Sequence, residues 1–259
     1  MSGENGTARE PAIVAEGLRK VYGSHEAVKG VDLVVRRGEI VGFLGPNGAG
    51  KTTTIKLLTG LLRPSSGRAV IMGHDVQREP VAAKAGFGYV PDTPHLYGKL
   101  RGWEFLRFMA RLYRVPGPQA ERRAAELLRV FELTEAAGDL VEGYSHGMQQ
   151  KLALAGALIH DPVVLFLDEP TVGLDPRSAR LIKNLLAQLR DRGGAVFFST
   201  HILEIAERMC DRVVIIDKGQ IIADGTMAEL RGDGPGSLED VFLRLTGGAE
   251  YAELAKVLA

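Results

Sequence analysis

Two short stretches of this sequence carry residues in patterns that could do phosphate chemistry. The first is Gly45-Pro46-Asn47-Gly48-Ala49-Gly50-Lys51-Thr52, followed by Thr53. Its glycines let the backbone bend so that successive N–H groups aim at one anion. A helix beginning at Lys51 would add the partial positive charge of its N-terminus. Lys51 would then reach the β- and γ-phosphates of a nucleotide, and the Thr52 hydroxyl would bind Mg²⁺. The second stretch is Val163-Val164-Leu165-Phe166-Leu167-Asp168-Glu169. Asp168, closing an apolar run, has the place of an acid that holds the Mg²⁺ shell. Glu169, one residue on, could orient and polarise an attacking water. A pair of solvated turn acids would read the same way, but the buried run before them favours chemistry.

The flanking sequence must supply elements that position these groups. Ile40 to Leu44 reads as a short strand feeding the glycine-rich loop, and Lys51 to about Leu62 as a helix with Ile55, Leu58 and Leu62 on one face. Ile13-Val14, Ala27 to Val35, Ala69 to Met72 and Gly86 to Val90 read as further strands. Between Pro94 and Pro162 the strand signals give way to helical spacing: Trp103, Leu106, Met109 or Ala110, and Tyr113, then Ala124, Leu127, Leu128 and Phe131. Strand and helix patterns then alternate again: Val163 to Leu167, Ser178 to Arg190, Ala195 to Ser199 and Ile202 to Met209. A hairpin around Lys218-Gly219 and a helix from Leu238 to Leu245 follow, with Gly232 to Ser237 as a flexible link. The expected fold is α/β: a phosphate-loop NTPase core of the RecA-like kind, an antiparallel β subdomain, and a helical subdomain inserted at about 93–161. Residues 1–11 read as a flexible tail, 12–245 as the ATPase domain and 246–259 as a helical tail.

Composition narrows the classes. The 259 residues carry 32 Lys or Arg against 32 Asp or Glu. That balance gives no support to a nucleic-acid binder working by bulk charge, and none is expected as a partner. The single cysteine, Cys210, fits a reducing compartment. The longest apolar run, Leu152 to Ile159, is far short of the ~20 residues of a membrane span. Any membrane role would come from docking.

Five further motifs stand in a telling order. They are Tyr22 before the phosphate loop; Gly88-Tyr89-Val90-Pro91-Asp92; Tyr144-Ser145-His146-Gly147-Met148-Gln149-Gln150; Gly173-Leu174-Asp175; and Ser199-Thr200-His201. With the two stretches above, they make the chain resemble the nucleotide-binding subunit of ABC transporters over about residues 12–245. The resemblance implies that Tyr22 stacks on adenine and that Asp92 stands in the hinge loop that helps hold nucleotide and Mg²⁺. It implies that Ser145 and Gly147 meet the γ-phosphate of an ATP held by a second ATPase subunit, that Asp175 touches that partner, and that His201 donates to the γ-phosphate and senses its loss, where a plain reading would make His201 a helix N-terminal residue held by local hydrogen bonds. It further implies a membrane-spanning permease partner and a peripheral place on the cytoplasmic face of the membrane.

Two positions depart from the family pattern. The signature reads Tyr-Ser-His-Gly-Met, with a helix from Gln149 to Ile159 expected to begin just behind it, and His146 in place of glycine needs a backbone outside the left-handed region. Asp92 replaces the usual glutamine, and Pro91-Asp92-Thr93-Pro94 is also turn chemistry, so ligand and turn-former both fit. Both departures resemble the exporter-type branch that includes drug, antibiotic and Ecs-type systems. Tyr22 could also be strand core, and Asp175 could also cap a helix. Lys99 to Arg129 holds eight Lys or Arg against three Glu, read as a solvated face ahead of one toward an anionic leaflet. The Trp103–Tyr113 stripe reads mostly as core, part of it lining a groove for a short helix of the permease. The rival function is a soluble ABC ATPase acting as an assembly or scaffold factor.

Overall fold

The computed structural model describes residues 9–171, 174–232 and 237–247. In chain order its elements are β1 (Pro11–Tyr22), β2 (His25–Arg36), β3 (Glu39–Leu44), α1 (Lys51–Leu58), β4 (Ser66–Ile71), β5 (His74–Asp75), α2 (Pro80–Ala85), β6 (Phe87–Val90), α3 (Gly102–Leu112), α4 (Gly117–Val130), α5 (His146–Leu158), β7 (Val164–Asp168), α6 (Pro176–Asp191), β8 (Ala195–Thr200), α7 (Leu203–Met209), β9 (Arg212–Asp217), β10 (Gln220–Gly225), α8 (Met227–Arg231) and α9 (Leu238–Thr246). They form two sheets. One is antiparallel with order β2-β1-β4-β5; the other has order β10-β9-β3-β8-β7-β6 and is parallel except for β10.

The apolar runs of β3, β7 and β8 are buried along their length, as central parallel strands covered on both faces must be. Their alternate side chains feed two cores. Phe43, Phe166 and Phe197 join Ile55 and Leu58 of α1 and Ile13, Leu18 and Val31 of the antiparallel sheet. Leu165, Leu167 and Phe198 join Phe105, Leu106, Leu128, Phe131 and Leu152 of the helices between β6 and β7, together with Ile182 and Leu186 of α6. The antiparallel strands instead alternate: Val31, Leu33 and Val35 are buried while Asp32 and Val34 are exposed.

The expected elements stand where the spacing put them, with three corrections. Helix α1 stops at Leu58 rather than Leu62, because Gly60 turns the chain at φ 67°. Helix α5 begins at His146 rather than Gln149, since Ser145 caps it. Helices α2 and α8, strand β5 and most of β1 beyond Ile13-Val14 were not read from the sequence; Pro80 at the start of α2 is a start signal that short length hid. Gly173, residues 233–236 of the expected link and residues 248–259 of the expected tail lie outside the described residues.

Parallel pairing has one decisive consequence. The C-terminal ends of β3, β6, β7 and β8 lie along the same edge, so the segments leaving them must meet. Those segments begin at Gly45, Pro91, Glu169 and His201.

Candidate functional site

A cavity of about 440 Å³ lies along that edge, lined by Tyr22, His25, Ala27, Asn47, Gly48, Gly50, Lys51, Thr52, Thr53, Asp92, Asp168 and Glu169. The phosphate loop is shaped by its packing. A Cβ on Gly45 would stand 2.4 Å from the Ile216 carbonyl oxygen, and Gly50 has φ 107° with the Ala27 carbonyl 2.7 Å from where its Cβ would be. Pro46 and Ala49 complete the bend, with the Ala49 N–H donating to the Pro46 carbonyl at 3.2 Å. Lys51 is buried and its Nζ donates to the carbonyls of Gly45 (2.7 Å) and Pro46 (3.1 Å). Burial lowers the Lys51 pKa, opposed by the negative charges of Glu169 and Asp168.

Asp168 is buried at the end of β7. One oxygen accepts from the Ser199 hydroxyl, while Oδ2 has no hydrogen-bond partner among the described residues. Burial raises its pKa, the Ser199 and Thr52 hydroxyls oppose that rise, and the charges of Asp92 and Glu169 reinforce it. An orphaned buried carboxylate oxygen beside a threonine hydroxyl, in an all-oxygen donor set, fits a hard cation such as Mg²⁺. No three acidic, His or Cys residues among those described are close enough to cage a metal alone. A cation here would complete its shell with phosphate oxygens and water, as Mg²⁺ normally does.

Glu169 has φ 51°, a left-handed backbone for a residue that is not glycine. Its N–H donates to the Ser199 carbonyl (3.1 Å) and to the Ser199 Oγ (3.3 Å). Its carboxylate lies 2.9 Å from the His201 Nδ1 and accepts the His201 N–H at 3.3 Å. Glu169 and His201 are therefore one unit at the ends of adjacent strands. Asp92 is exposed and accepts the Thr93 N–H at 2.8 Å, as a turn-former does, and it also lines the cavity. Tyr22 is 49% exposed, which removes the strand-core reading. The Lys20 ammonium sits 5.2 Å from its ring centroid and donates to the Arg63 carbonyl, backing the ring from within the protein.

Ser145 and Gly147 stand elsewhere. Ser145 caps α5, its Oγ accepting the Met148 N–H at 3.3 Å, and neither residue lines the cavity. His146 is the first helical residue and takes no left-handed angle, so the glycine replacement is accommodated without strain. A Cβ on Gly147 would meet only Leu174, at 3.7 Å. Asp175 caps α6 by accepting from the Ser178 hydroxyl at 2.6 Å and from the N–H groups of Ser178 and Arg177, and these bonds, the hydroxyl's first, hold its carboxyl below the usual range. In the basic segment, Arg107 pairs with Glu121, Lys99 with Glu142 and Arg123 with Asp161, as a solvated face would. The sequence reading missed His25, Ala27 and the bond from Ser199 to Asp168. The last follows from the register pairing Asp168 with Ser199, which is legible only once the strand order is known.

A phosphate loop between strand and helix, a buried acid at the tip of the neighbouring strand and a glutamate after it define the phosphate-loop NTPase class. Comparison with known proteins narrows this: the family model described as ABC transporter matches residues 28–172, and the chain belongs to that family. It is similar to the daunorubicin resistance ATP-binding protein DrrA3 of Streptomyces coeruleorubidus, 42% identical over 92% of this chain and 75% of that protein. It is also similar to the linearmycin resistance ATP-binding protein LnrL of Bacillus subtilis, 41% identical over 84% of this chain and 70% of that protein. Among solved structures, an ATP-binding subunit of an ABC transporter superposes with a TM-score of 0.86 at 35% identity, covering 90% of this chain and 99% of that one. The dimeric post-hydrolysis cassette MJ0796, bound to ADP and phosphate, gives 0.77 at 26% identity over 83% and 99%. The chain is an ATP-binding and ATP-hydrolysing subunit that powers a transporter, and the soluble-scaffold alternative is not favoured.

Proposed function

We propose that two copies of this chain, or this chain and a related one, close over two ATP molecules to drive a membrane permease. The observation that carries this reading is the separation of two phosphate-binding elements. Lys51, Thr52, Asp168 and Glu169 share one cavity, whereas Ser145 and Gly147 present a capped helix end outside it. A helix end with open backbone N–H groups suits a γ-phosphate, and a second molecule can bring one.

In this reading the loop from Gly45 to Thr53 holds the triphosphate, Tyr22 stacks on adenine, and Thr52, Asp168 and Asp92 hold Mg²⁺. Bound Mg²⁺ would neutralise phosphate charge and polarise the γ-phosphoryl group. Glu169 orients the attacking water and accepts its proton, and His201, 2.9 Å away, fixes that carboxylate and donates toward the γ-phosphate. ATP holds the pair closed because its γ-phosphate touches both halves; hydrolysis removes that differential contact.

Among the described residues no helix is long and apolar enough to cross a membrane. Membrane association therefore rests on docking. Tyr97 and Phe108 stack edge-on at 5.1 Å and are exposed together with Leu112, giving an apolar patch beside the Asp92 loop for a permease helix. Relatives named for daunorubicin and linearmycin resistance support an exporter of drug-like compounds at the cytoplasmic face of the membrane.

Glu169→Gln tests the core of this reading. We expect retained ATP binding, turnover reduced by roughly 10²-fold or more, and an ATP-bound dimer accumulating on size exclusion. Full turnover by this variant would overturn the base assignment.

A further inference from the structure

The hairpin joining β1 to β2 brings a second side chain to the nucleotide cavity. Tyr22 and His25 are paired across the two-residue turn Gly23-Ser24. Directly paired residues send their side chains to the same face of a hairpin, with Cβ atoms about 5 Å apart. His25 accordingly lines the same cavity as Tyr22, Asn47, Lys51 and Thr52. It is exposed, and the histidine ring nitrogens engaged by other residues among those described belong to His74, His160 and His201. Among the described residues none engages the imidazole of His25, so its donor and its acceptor face the cavity's occupant.

The roles of the other lining residues narrow what His25 would meet. The Tyr22 ring, backed by Lys20, offers a platform for a base. The loop N–H groups and Lys51 serve phosphates. Asn47, Lys51, Thr52 and Thr53 belong to the phosphate loop and Asp92, Asp168 and Glu169 to the strand tips; of the remaining lining residues, Ala27, Gly48 and Gly50 carry no side-chain hydrogen-bonding group, so His25 is the polar side chain that the hairpin adds beside the Tyr22 ring. We infer that His25 is a nucleotide-binding residue that hydrogen-bonds the ribose hydroxyls, an inference resting on the reading of this cavity as the ATP site. A neutral imidazole suits a pair of adjacent hydroxyls because it can donate at one nitrogen and accept at the other.

The test measures binding of Mg-ATP, 2′,3′-dideoxy-ATP and inorganic tripolyphosphate to the full chain and to its His25→Ala, His25→Gln and Lys51→Ala variants. His25→Ala should weaken ATP about five- to tenfold, the size of one lost hydrogen bond. It should leave dideoxy-ATP and tripolyphosphate at wild-type affinity, and His25→Gln should recover part of the loss. Unchanged ATP affinity, or an equal loss for tripolyphosphate, overturns the assignment. Lys51→Ala separates the two levels: if it too leaves ATP and tripolyphosphate binding intact, the reading of the cavity has failed rather than the role of His25. His25 stands exposed at a hairpin tip, and a melting curve matching the wild type excludes a folding defect.

Discussion

At the scale of single residues, Glu169 carries the sharpest conflict. Its side chain must leave the tip of β7 toward the cavity, and the backbone meets that demand at φ 51°. Left-handed angles cost a side-chain-bearing residue roughly 1–2 kcal/mol relative to glycine. Glu169→Gly should therefore abolish turnover while raising the melting temperature by a few degrees, read by calorimetry on both proteins; an unchanged or lower midpoint would show that the His201 bonds outweigh the strain. The residues of this site differ in how far the sequence exposed them. The phosphate loop was legible because its chemistry is local: glycines, lysine and threonine are consecutive. Asp168 and Glu169 were legible because an apolar strand ends on them. Ser199 was not legible as the partner of Asp168, because the bond crosses between strands 31 residues apart. His25 escaped for a similar reason, since its meaning comes from the hairpin pairing and from a loop beyond the next strand.

At the scale of elements, α5 joins two parts of the site. Ser145 caps its first turn, and its last turn is fixed against β6, the strand leading to Asp92. A Cβ on Gly88 would lie 2.4 Å from the Ala157 carbonyl oxygen, so strand and helix approach more closely than any other residue permits. Just beyond the helix, the His160 Nε2–H donates to the Phe87 carbonyl at 3.1 Å, and the ring stacks on Tyr113 at 3.6 Å. Burial pushes the His160 pKa down to about 4, and its Nδ1 has no partner among the described residues. The unfolded chain, with an ordinary histidine pKa of about 6.5, binds a proton that the folded chain resists. This group's contribution to stability is therefore intact above about pH 6.5 and falls as pH drops toward 4. Between pH 7 and pH 5 the wild type should lose about 1–2 kcal/mol more stability than His160→Phe in urea titrations; parallel losses would reject the buried neutral ring. The helices themselves were legible from their 3.6-residue spacing. Their ends were less so, because a cap at Ser145 and a left-handed Gly60 decide them locally, against a periodicity that runs on.

At the scale of the whole molecule, one chain holds a cavity with the groups for binding and water activation, and a separate helix end with none of them. Under the proposed pairing, turnover needs two molecules, so specific activity at saturating ATP should rise with protein concentration and level off once dimers dominate. Activity independent of dilution down to nanomolar protein, with Ser145→Ala fully active, would reject the pairing. The two-layer plan was legible as alternating strand and helix signals interrupted by a helical stretch. The convergence of four segments at one edge came from the family resemblance alone, because spacing by itself does not fix the parallel order β3-β8-β7-β6.

The posture of Lys51 has a consequence for the working cycle. Its ammonium rests on the Gly45 and Pro46 carbonyls, so the loop supplies partners for its own buried cation. An incoming phosphate exchanges one set of charge-assisted bonds for another, and a departing product leaves no bare buried cation behind. The lysine thus braces the loop from inside, and its net pull on a phosphate is smaller than a bare ammonium would give, by the two bonds it must surrender.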